Sequence, residues 1–278
     1  MKSTEEQLFL QSYDITKYDR PSVTVDVAAF SIRCDEAENY KRDSEQRLSL
    51  LLIKRGGHPF KGHWALPGGF LHKGESLEQC AMREITAESG VTPTAIMPSG
   101  VFSEPDRDPR GWIISHSFVS IMSGEELQAV GGDDASDARW FDFSYGYQDD
   151  LLYLDMKSGD IEIHSVLREK AMKFGIHEYD IVEDGGLSFD HARIIAAALS
   201  RLRSAVKNYD ILFDFLPQKF TLAHLQRVQE AILNVTLIPA NFRRKVLPLL
   251  KETDESTSGA GHRPAKLFTK NITDNGGN

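Results

Sequence analysis

The stretch "GGFLHKGESLEQCAMREITAESGV", residues 68–91, decides the reading of the N-terminal part of this chain. Two glycines, Gly68 and Gly69, follow Pro67 and allow a tight bend with bare backbone close to a ligand. Ser76 and Gln79 have the spacing of a capping box, which predicts a helix starting at about Leu77. Gly90 suits the C-terminal cap of that helix. At 100° per residue, Leu77, Ala81, Glu84 and Glu88 fall in one narrow stripe. The helix thus points apolar groups inward at its start and two carboxylates inward at its end. Inward acids are costly without a positive partner, and a divalent cation such as magnesium is the natural one. The plainer reading is a solvated helix with scattered glutamates. The glycine entry and the shared stripe weigh against it. Ala87 flanks the stripe three residues after Glu84 and brings no oxygen ligand.

The spacing resembles the Nudix box. Gly69, Glu75, Arg83, Glu84, Ile85, Glu88, Gly90 and Val91 stand where that pattern places glycine, glutamate, the Arg-Glu pair, the aliphatics and the closing Glu and Gly. The resemblance implies an α+β chain whose first domain has the Nudix fold, a mixed β-sheet sandwiched by helices. It also implies metal ligation by Glu84 and Glu88, with Arg83 orienting the acids. Ala87 departs from the pattern where a metal-ligating glutamate belongs. Glu75, Arg83, Glu84 and Glu88 are therefore expected to be a vestigial set, with no catalytic residue. Magnesium is expected to be admitted there but not required.

Outward from this helix, "SVTVDVAAFSIR" (22–33) alternates and is rich in valine, as a strand does. "RLSLLLIKR" (47–55), "GWIISHSFVSIM" (111–122) and "DARWFDF" (137–143) read as further strands. Residues 144–187 are expected to be an insertion, with a hairpin turning at 158–160 and a helix-like piece, "VLREKAMKFG" (166–175). "SFDHARIIAAALSRLRSAV" (188–206) reads as a helix capped by Ser188 or Asp190. Around the presumed pocket, Arg55, Arg107 and Arg110 are candidates for phosphate, since arginine offers paired donors. Trp64 and Phe70 are candidates for stacking on a base, beside Gly69. Each of these side chains has a structural alternative, as a salt bridge or a core aromatic.

The C-terminal part has a different pattern. "FTLAHLQRVQEAIL" (220–233) is an amphipathic helix with Thr221 as its N-cap. Pro239 suits the first position of a second helix, whose inner face is expected to carry Phe242, Val246 and Leu249. "ETDESTSGAGHRPAKLFTK" (252–270) reads as two short strands around a glycine-rich loop. Helix, turn, helix and hairpin make a winged helix-turn-helix plan. Asn241, Arg243, Arg244 and Lys245 point away from the Phe242 and Val246 face, and Arg263 and Lys266 lie in the wing. Residues 1–206 are thus expected to sense a ligand and 207–272 to bind double-stranded DNA, with 273–278 a disordered tail. A dimerisation or docking domain with a solvated basic face is the alternative.

Charge supports two modules. The chain has 278 residues and a formal net charge of −9. From residue 207 onward there are ten Lys and Arg against seven Asp and Glu, while the remainder carries 22 against 34. A mildly basic piece joined to an acidic body fits a nucleic-acid partner for the basic piece. Hydrophobic residues make up 41% and charged residues 26%, as in ordinary soluble proteins. Only Cys34 and Cys80 occur, in no metal-binding spacing, which excludes a disulfide framework and fits a reducing cytoplasm. No signal peptide or membrane span is expected.

The whole is similar to the Nudix-related transcriptional regulators of NAD metabolism in bacteria. The residues that carry this resemblance are "HPFKGHWALPGGFLHKGES", "DPRGWIIS", "FDHARIIAAAL", "FTLAHLQRVQEAILNVTLIPANFRRKV" and "GHRPAKLF". It implies a homodimeric repressor of NAD biosynthesis or salvage genes that releases a palindromic operator on binding ADP-ribose or a related NAD-derived nucleotide. The alternative is an active Nudix ADP-ribose pyrophosphatase with an appended DNA-binding domain. A scaffold with neither activity is the third reading.

Overall fold

The computed structural model describes residues 4–34, 46–90, 92–122, 135–173, 176–209, 211–257 and 264–271. A short helix, α1 (Thr4–Ser12), precedes β1 (Ser22–Cys34), β2 (Gln46–Arg55), β3 (Trp64–Ala65) and β4 (Gly68–Phe70). Next come α2 (Leu77–Ser89), β5 (Ala95–Phe102), β6 (Ile113–Met122) and β7 (Ala135–Gln148). β8 (Leu151–Ser158), β9 (Ile161–Lys173) and β10 (Ile176–Glu183) lead into α3 (His191–Lys207).

These strands form one sheet in the order β10-β9-β8-β7-β2-β1-β6-β5, with β3 on β2 and β4 on β1. β1 and β6 run parallel and the other pairs antiparallel. The strand period of two sorts β1 between two cores. Val25, Val27 and Ala29 pack with Cys80, Ala81 and Ile85 of α2. Ala28, Phe30 and Ile32 belong to the opposite core, with Ile194, Ile195, Leu199 and Leu202 of α3. The sheet is therefore sandwiched between α2 and α3.

Residues 144–187 continue this sheet through the end of β7 to β10. The expected hairpin is present, with β8 and β9 paired from Ser158↔Ile161 onward. The helix expected over residues 166–175 is not. Residues 166–173 are the second half of β9; its part up to Arg168 lies between Leu151 of β8 and Asp180 of β10, and the rest is paired with β10. Leu, Arg, Glu, Lys, Ala and Met favour a helix locally, but pairing in the sheet overrides that preference.

The C-terminal part comprises α4 (Leu222–Leu233), α5 (Pro239–Val246), a 3-10 turn at Leu247–Leu249, β11 (Leu250–Ser256) and β12 (Lys266–Lys270). β11 and β12 pair antiparallel as the wing. Phe242 and Val246 are buried as expected, but Leu249 is exposed, because the chain leaves α5 after Val246 and turns it outward. Leu225, Val228, Ile232, Phe242, Val246 and Phe268 share one apolar core with α3 and the sheet. Residues 272–278, which include the expected tail, lie outside the described residues.

Candidate functional site

The helix that carries the acids is built as its sequence demands. Ser76 Oγ accepts from the Gln79 amide at 3.2 Å, and Gln79 Oε1 accepts from the Ser76 amide at 2.8 Å. Gly90 closes the other end with φ of 70° and donates to the Thr86 carbonyl at 2.9 Å. Val91 lies outside the described residues. Gly69 pairs with Val25 in the sheet, and a Cβ there would overlap the Glu84 carboxylate. Glycine at 69 thus lets the acid of α2 lie against the strand that faces it.

Arg83 organises the acids around it. Its Nε and Nη2 donate to Glu75 at 3.1 and 2.7 Å, and its Nη1 donates to Glu84 at 2.5 Å. Nη2 also donates to the Phe70 carbonyl at 3.1 Å, which ties α2 to β4. Those bonds from Arg83 hold the Glu75 carboxyl down to about 2, well below its usual 4.5. The neighbouring Cys80 thiol is pushed up to about 12 by burial, so it is an inert packing group. Glu88 is buried one turn after Glu84, and Ala87 is exposed beside them.

These residues offer a divalent cation two carboxylates, Glu84 and Glu88, with no third at position 87. Glu75 and Glu84 are already engaged by Arg83, and Ala87 adds no donor. Among the described residues, no group of three or more His, Cys, Asp or Glu side chains comes together to hold an ion. A divalent cation here would have Glu84 and Glu88 as its carboxylates.

The pocket candidates divide. Trp64 is 6% exposed and packs edge-on against Phe141 at 4.9 Å, so its indole is a core group and not a stacking platform. Arg107 has a side chain 4% exposed, with both arms on Asp190 at 3.0 and 2.6 Å and Asp26 at 3.7 Å. It neutralises two buried carboxylates and is not available to a phosphate. Asp190 stands at the N-cap of α3, yet its carboxylate serves Arg107 instead of the helix amides.

Arg55, Phe70 and Arg110 do come together, around a residue that sequence reasoning missed. The guanidinium of Arg55 lies 5.0 Å from the Phe189 ring, and that of Arg110 lies 5.3 Å from the same ring. Arg110 also lies 5.1 Å from the exposed ring of Phe70, while Phe60 meets Phe189 at 4.7 Å. Arg110 is held by two bonds to Asp108 at 2.9 and 2.7 Å, and Arg55 donates to the Pro59 carbonyl at 2.8 Å. Phe60 and Phe189 have φ of 60° and 52°, left-handed conformations that bulky residues rarely adopt. Such a cluster of cations and aromatic faces suits a phosphorylated, planar ligand. No local pattern around residue 189 announces it.

At the other end of the chain, Asn241, Arg243, Arg244 and Lys245 are all exposed on α5, opposite buried Phe242 and Val246. Arg244 donates to Asn241 at 3.4 Å. Thr221 caps α4 by accepting from the His224 amide at 3.1 Å. The wing is less basic than expected. Lys266 is paired with Glu252, and Glu252, Asp254 and Glu255 are all exposed on β11. Arg263 lies outside the described residues.

Comparison with known proteins bears on both halves. Residues 39–155 match the NUDIX domain model, and residues 212–269 match the NrtR DNA-binding winged helix domain. The chain thus resembles, in order, a Nudix domain and an NrtR-type winged helix, as its fold does. It is 28% identical over 271 residues to an ADPR responsive transcriptional repressor of Acinetobacter baylyi, covering 95% of this chain and 88% of that protein. Over 100 residues it is 49% identical to an ADP-ribose pyrophosphatase of Methanocaldococcus jannaschii, covering 36% of this chain and 58% of that enzyme. The solved structure of Shewanella oneidensis NrtR complexed with a 27mer DNA superposes with a TM-score of 0.60 at 27% identity, covering 89% of this chain and 93% of that one.

Proposed function

We propose that this Nudix–winged-helix chain is a transcriptional repressor controlled by ADP-ribose or a closely related NAD-derived nucleotide, acting on genes of NAD biosynthesis or salvage. Residues 1–206 sense the nucleotide and residues 207–272 hold the DNA. The observation that carries this reading is the exposed basic face of α5, set on a Nudix fold whose metal-binding helix has Ala87 in place of an acid. Arg55, Phe70, Gly69 and Arg110 are the ligand residues in this reading. Arg243, Arg244, Lys245 and Asn241 read the DNA, with Lys266 and Arg263 on its backbone and the α4 amides behind Thr221 near a phosphate. Two copies bind a palindromic operator, since winged helices read half-sites related by protein symmetry. The protein works in the cytoplasm, and no helix among the described residues is long and apolar enough to cross a membrane.

The test is a DNA mobility shift on the region upstream of NAD-metabolism genes, with and without ADP-ribose. Operator binding that ADP-ribose releases supports the reading. Absence of binding, or binding indifferent to the nucleotide, overturns it.

A second reading, an active ADP-ribose pyrophosphatase, is favoured by the intact Glu75–Arg83–Glu84 network and by retained Glu88. It is tested by following AMP release from ADP-ribose with magnesium. Turnover at about 1 s⁻¹ or faster, the low end for ordinary enzymes, establishes it. Slow or absent turnover, raised in Ala87→Glu, assigns the pocket to sensing.

A further inference from the structure

The motif "FDHARIIAAAL" (189–199) belongs neither to the acid helix nor to the winged helix, yet the chain around its start ties the pocket together. Leu187 bridges to Trp64, and the Ser188 amide donates to the Trp64 carbonyl at 2.8 Å. Asp190 takes both arms of Arg107, and His191 Nδ1 accepts from the Leu66 amide at 2.8 Å. Leu187, Ser188, Asp190 and His191 are all buried. Phe189 alone of these five is part-exposed, and its ring faces Arg55 at 5.0 Å, Arg110 at 5.3 Å and Phe60 at 4.7 Å. Its held neighbours impose a φ of 52°, a conformation that costs a phenylalanine and persists only where the surroundings fix it. The Ser188 hydroxyl is buried with no hydrogen-bond partner among the described residues, a second local cost. Segments that carry such costs are the ones with another arrangement within reach.

From this segment α3 runs 17 residues, about 25 Å at the helical rise. Its far end meets the winged helix, where the Val206 carbonyl accepts from Gln229 of α4 at 2.9 Å. Between the ends, Leu199, Leu202 and Val206 share one close-packed core with Leu225, Val228 and Ile232 of α4. Such a core transmits a displacement instead of absorbing it. We propose that Phe189 is the coupling residue of this chain, through which an occupied nucleotide pocket acts on α3 and so on the winged helix. The inference deepens the proposed sensing function and rests on it. A guanidinium bonded to phosphate is charged on both sides, and such bonds are stronger than a cation–π contact at a part-exposed ring. A phosphorylated nucleotide therefore draws Arg55 and Arg110 off Phe189. The ring loses the two groups that pin it, and residues 188–190 relax with the start of α3. The ligand thus makes different contacts in the two arrangements, as any shift of population requires.

Phe189→Gly tests this in the full chain. Glycine removes the ring and suits a φ of 52°, so the variant keeps its fold and thermal midpoint. Calorimetry first sets a saturating ADP-ribose concentration for each protein. Anisotropy on the operator then gives the factor by which saturating ADP-ribose weakens DNA binding. In the wild type this is about 5–150-fold, the ordinary range of coupling between sites, and operator DNA weakens ADP-ribose binding by the same factor. In Phe189→Gly both factors fall below about twofold. A pocket wall with no part in coupling would change ADP-ribose affinity and leave the factors intact, and that result overturns the proposal. A variant that binds no ADP-ribose makes Phe189 a pocket wall and overturns it too. Amide exchange over α4, with and without ADP-ribose and without DNA, separates this inference from the repressor reading. Exchange that responds in the wild type and not in Phe189→Gly, in a chain that ignores DNA, leaves the coupling standing without the repressor. Release of the operator in the variant as in the wild type leaves the repressor standing without this coupling. A wild type that binds no ADP-ribose overturns both.

Discussion

Gln229 of α4 donates from its side-chain amide to the main-chain carbonyl of Val206 at 2.9 Å, joining the winged helix to the last turn of α3. Two further bonds repeat the join. Tyr145 Oη donates to the Ile232 carbonyl at 2.9 Å, and Asn234 Nδ2 donates to the Tyr145 carbonyl at 3.1 Å. All three involve backbone groups, and an apolar core surrounds them. The two modules should therefore unfold together. Trp64, Trp112 and Trp140 all belong to the Nudix half, so tryptophan fluorescence reports that half while far-ultraviolet dichroism reports every helix. Urea curves from the two probes should coincide. Separate transitions would show that the modules are only loosely attached. Tyr145→Phe should lower stability by about 1 kcal/mol, the net worth of one hydrogen bond.

A pH dependence should come from His191. Its Nδ1 accepts from the Leu66 amide at 2.8 Å, so the ring proton sits on Nε2, 3.5 Å from Asp26 Oδ1. Burial pushes the imidazole below its usual 6.5, against the pull of Asp26 and Asp190, while Arg107 and Arg55 push the same way as burial. The neutral ring is thus the folded form. The unfolded chain takes up the proton first, so stability should be full above about pH 6.5 and fall as pH drops from there towards the lower folded value. Urea midpoints between pH 7.5 and 5.5 measure this, and His191→Gln should flatten the slope. An unchanged slope in that variant would assign the dependence to other groups.

The two glycines that open the box should not be equivalent. A Cβ on Gly68 would overlap the carbonyl oxygen of Val25, which is backbone within the sheet. On Gly69 it would overlap the Glu84 carboxylate, the far end of a side chain, held there by Arg83. Gly68→Ala should cost about 1–3 kcal/mol, in the range of overpacked sites. Gly69→Ala should cost less in denaturant but should move Glu84 and weaken nucleotide binding by calorimetry. The reverse order of stabilities would contradict this geometry.

On DNA, Arg244→Ala should lose roughly 1–3 kcal/mol on the operator and less on random sequence, since paired arginine contacts to guanine discriminate between bases. Lys266→Ala should weaken both by a similar factor. Glu252 adds a prediction of its own. It pairs with Lys266, and Glu252→Gln should release that lysine and strengthen binding to all DNA at low salt. Fluorescence anisotropy over a salt series reads each effect. Operator affinity that is indifferent to α5 and to the wing would place the DNA surface elsewhere.

What the sequence alone determined is local in origin. The capping box at Ser76 and Gln79, the Gly90 cap, the stripe shared by Glu84 and Glu88, the gap at Ala87, the Thr221 cap and the Pro239 start are patterns of a few residues. Backbone geometry maps such patterns directly onto one turn of helix, whatever surrounds it. The alternation in β1 likewise assigned its two faces in advance. Only the tertiary structure decided which arginine faces the aromatic cluster. Arg107 and Arg110 look alike in sequence, but Asp190, 83 positions away, claims the first, while the second stacks between Phe70 and Phe189. It also turned Trp64 into core, made a strand of residues 166–173 by pairing them in the sheet, and set acids opposite the lysine of the wing. In each case the deciding group comes from a distant part of the chain. Burial and pairing there depend on how the sheet closes, and no short window of sequence contains that information.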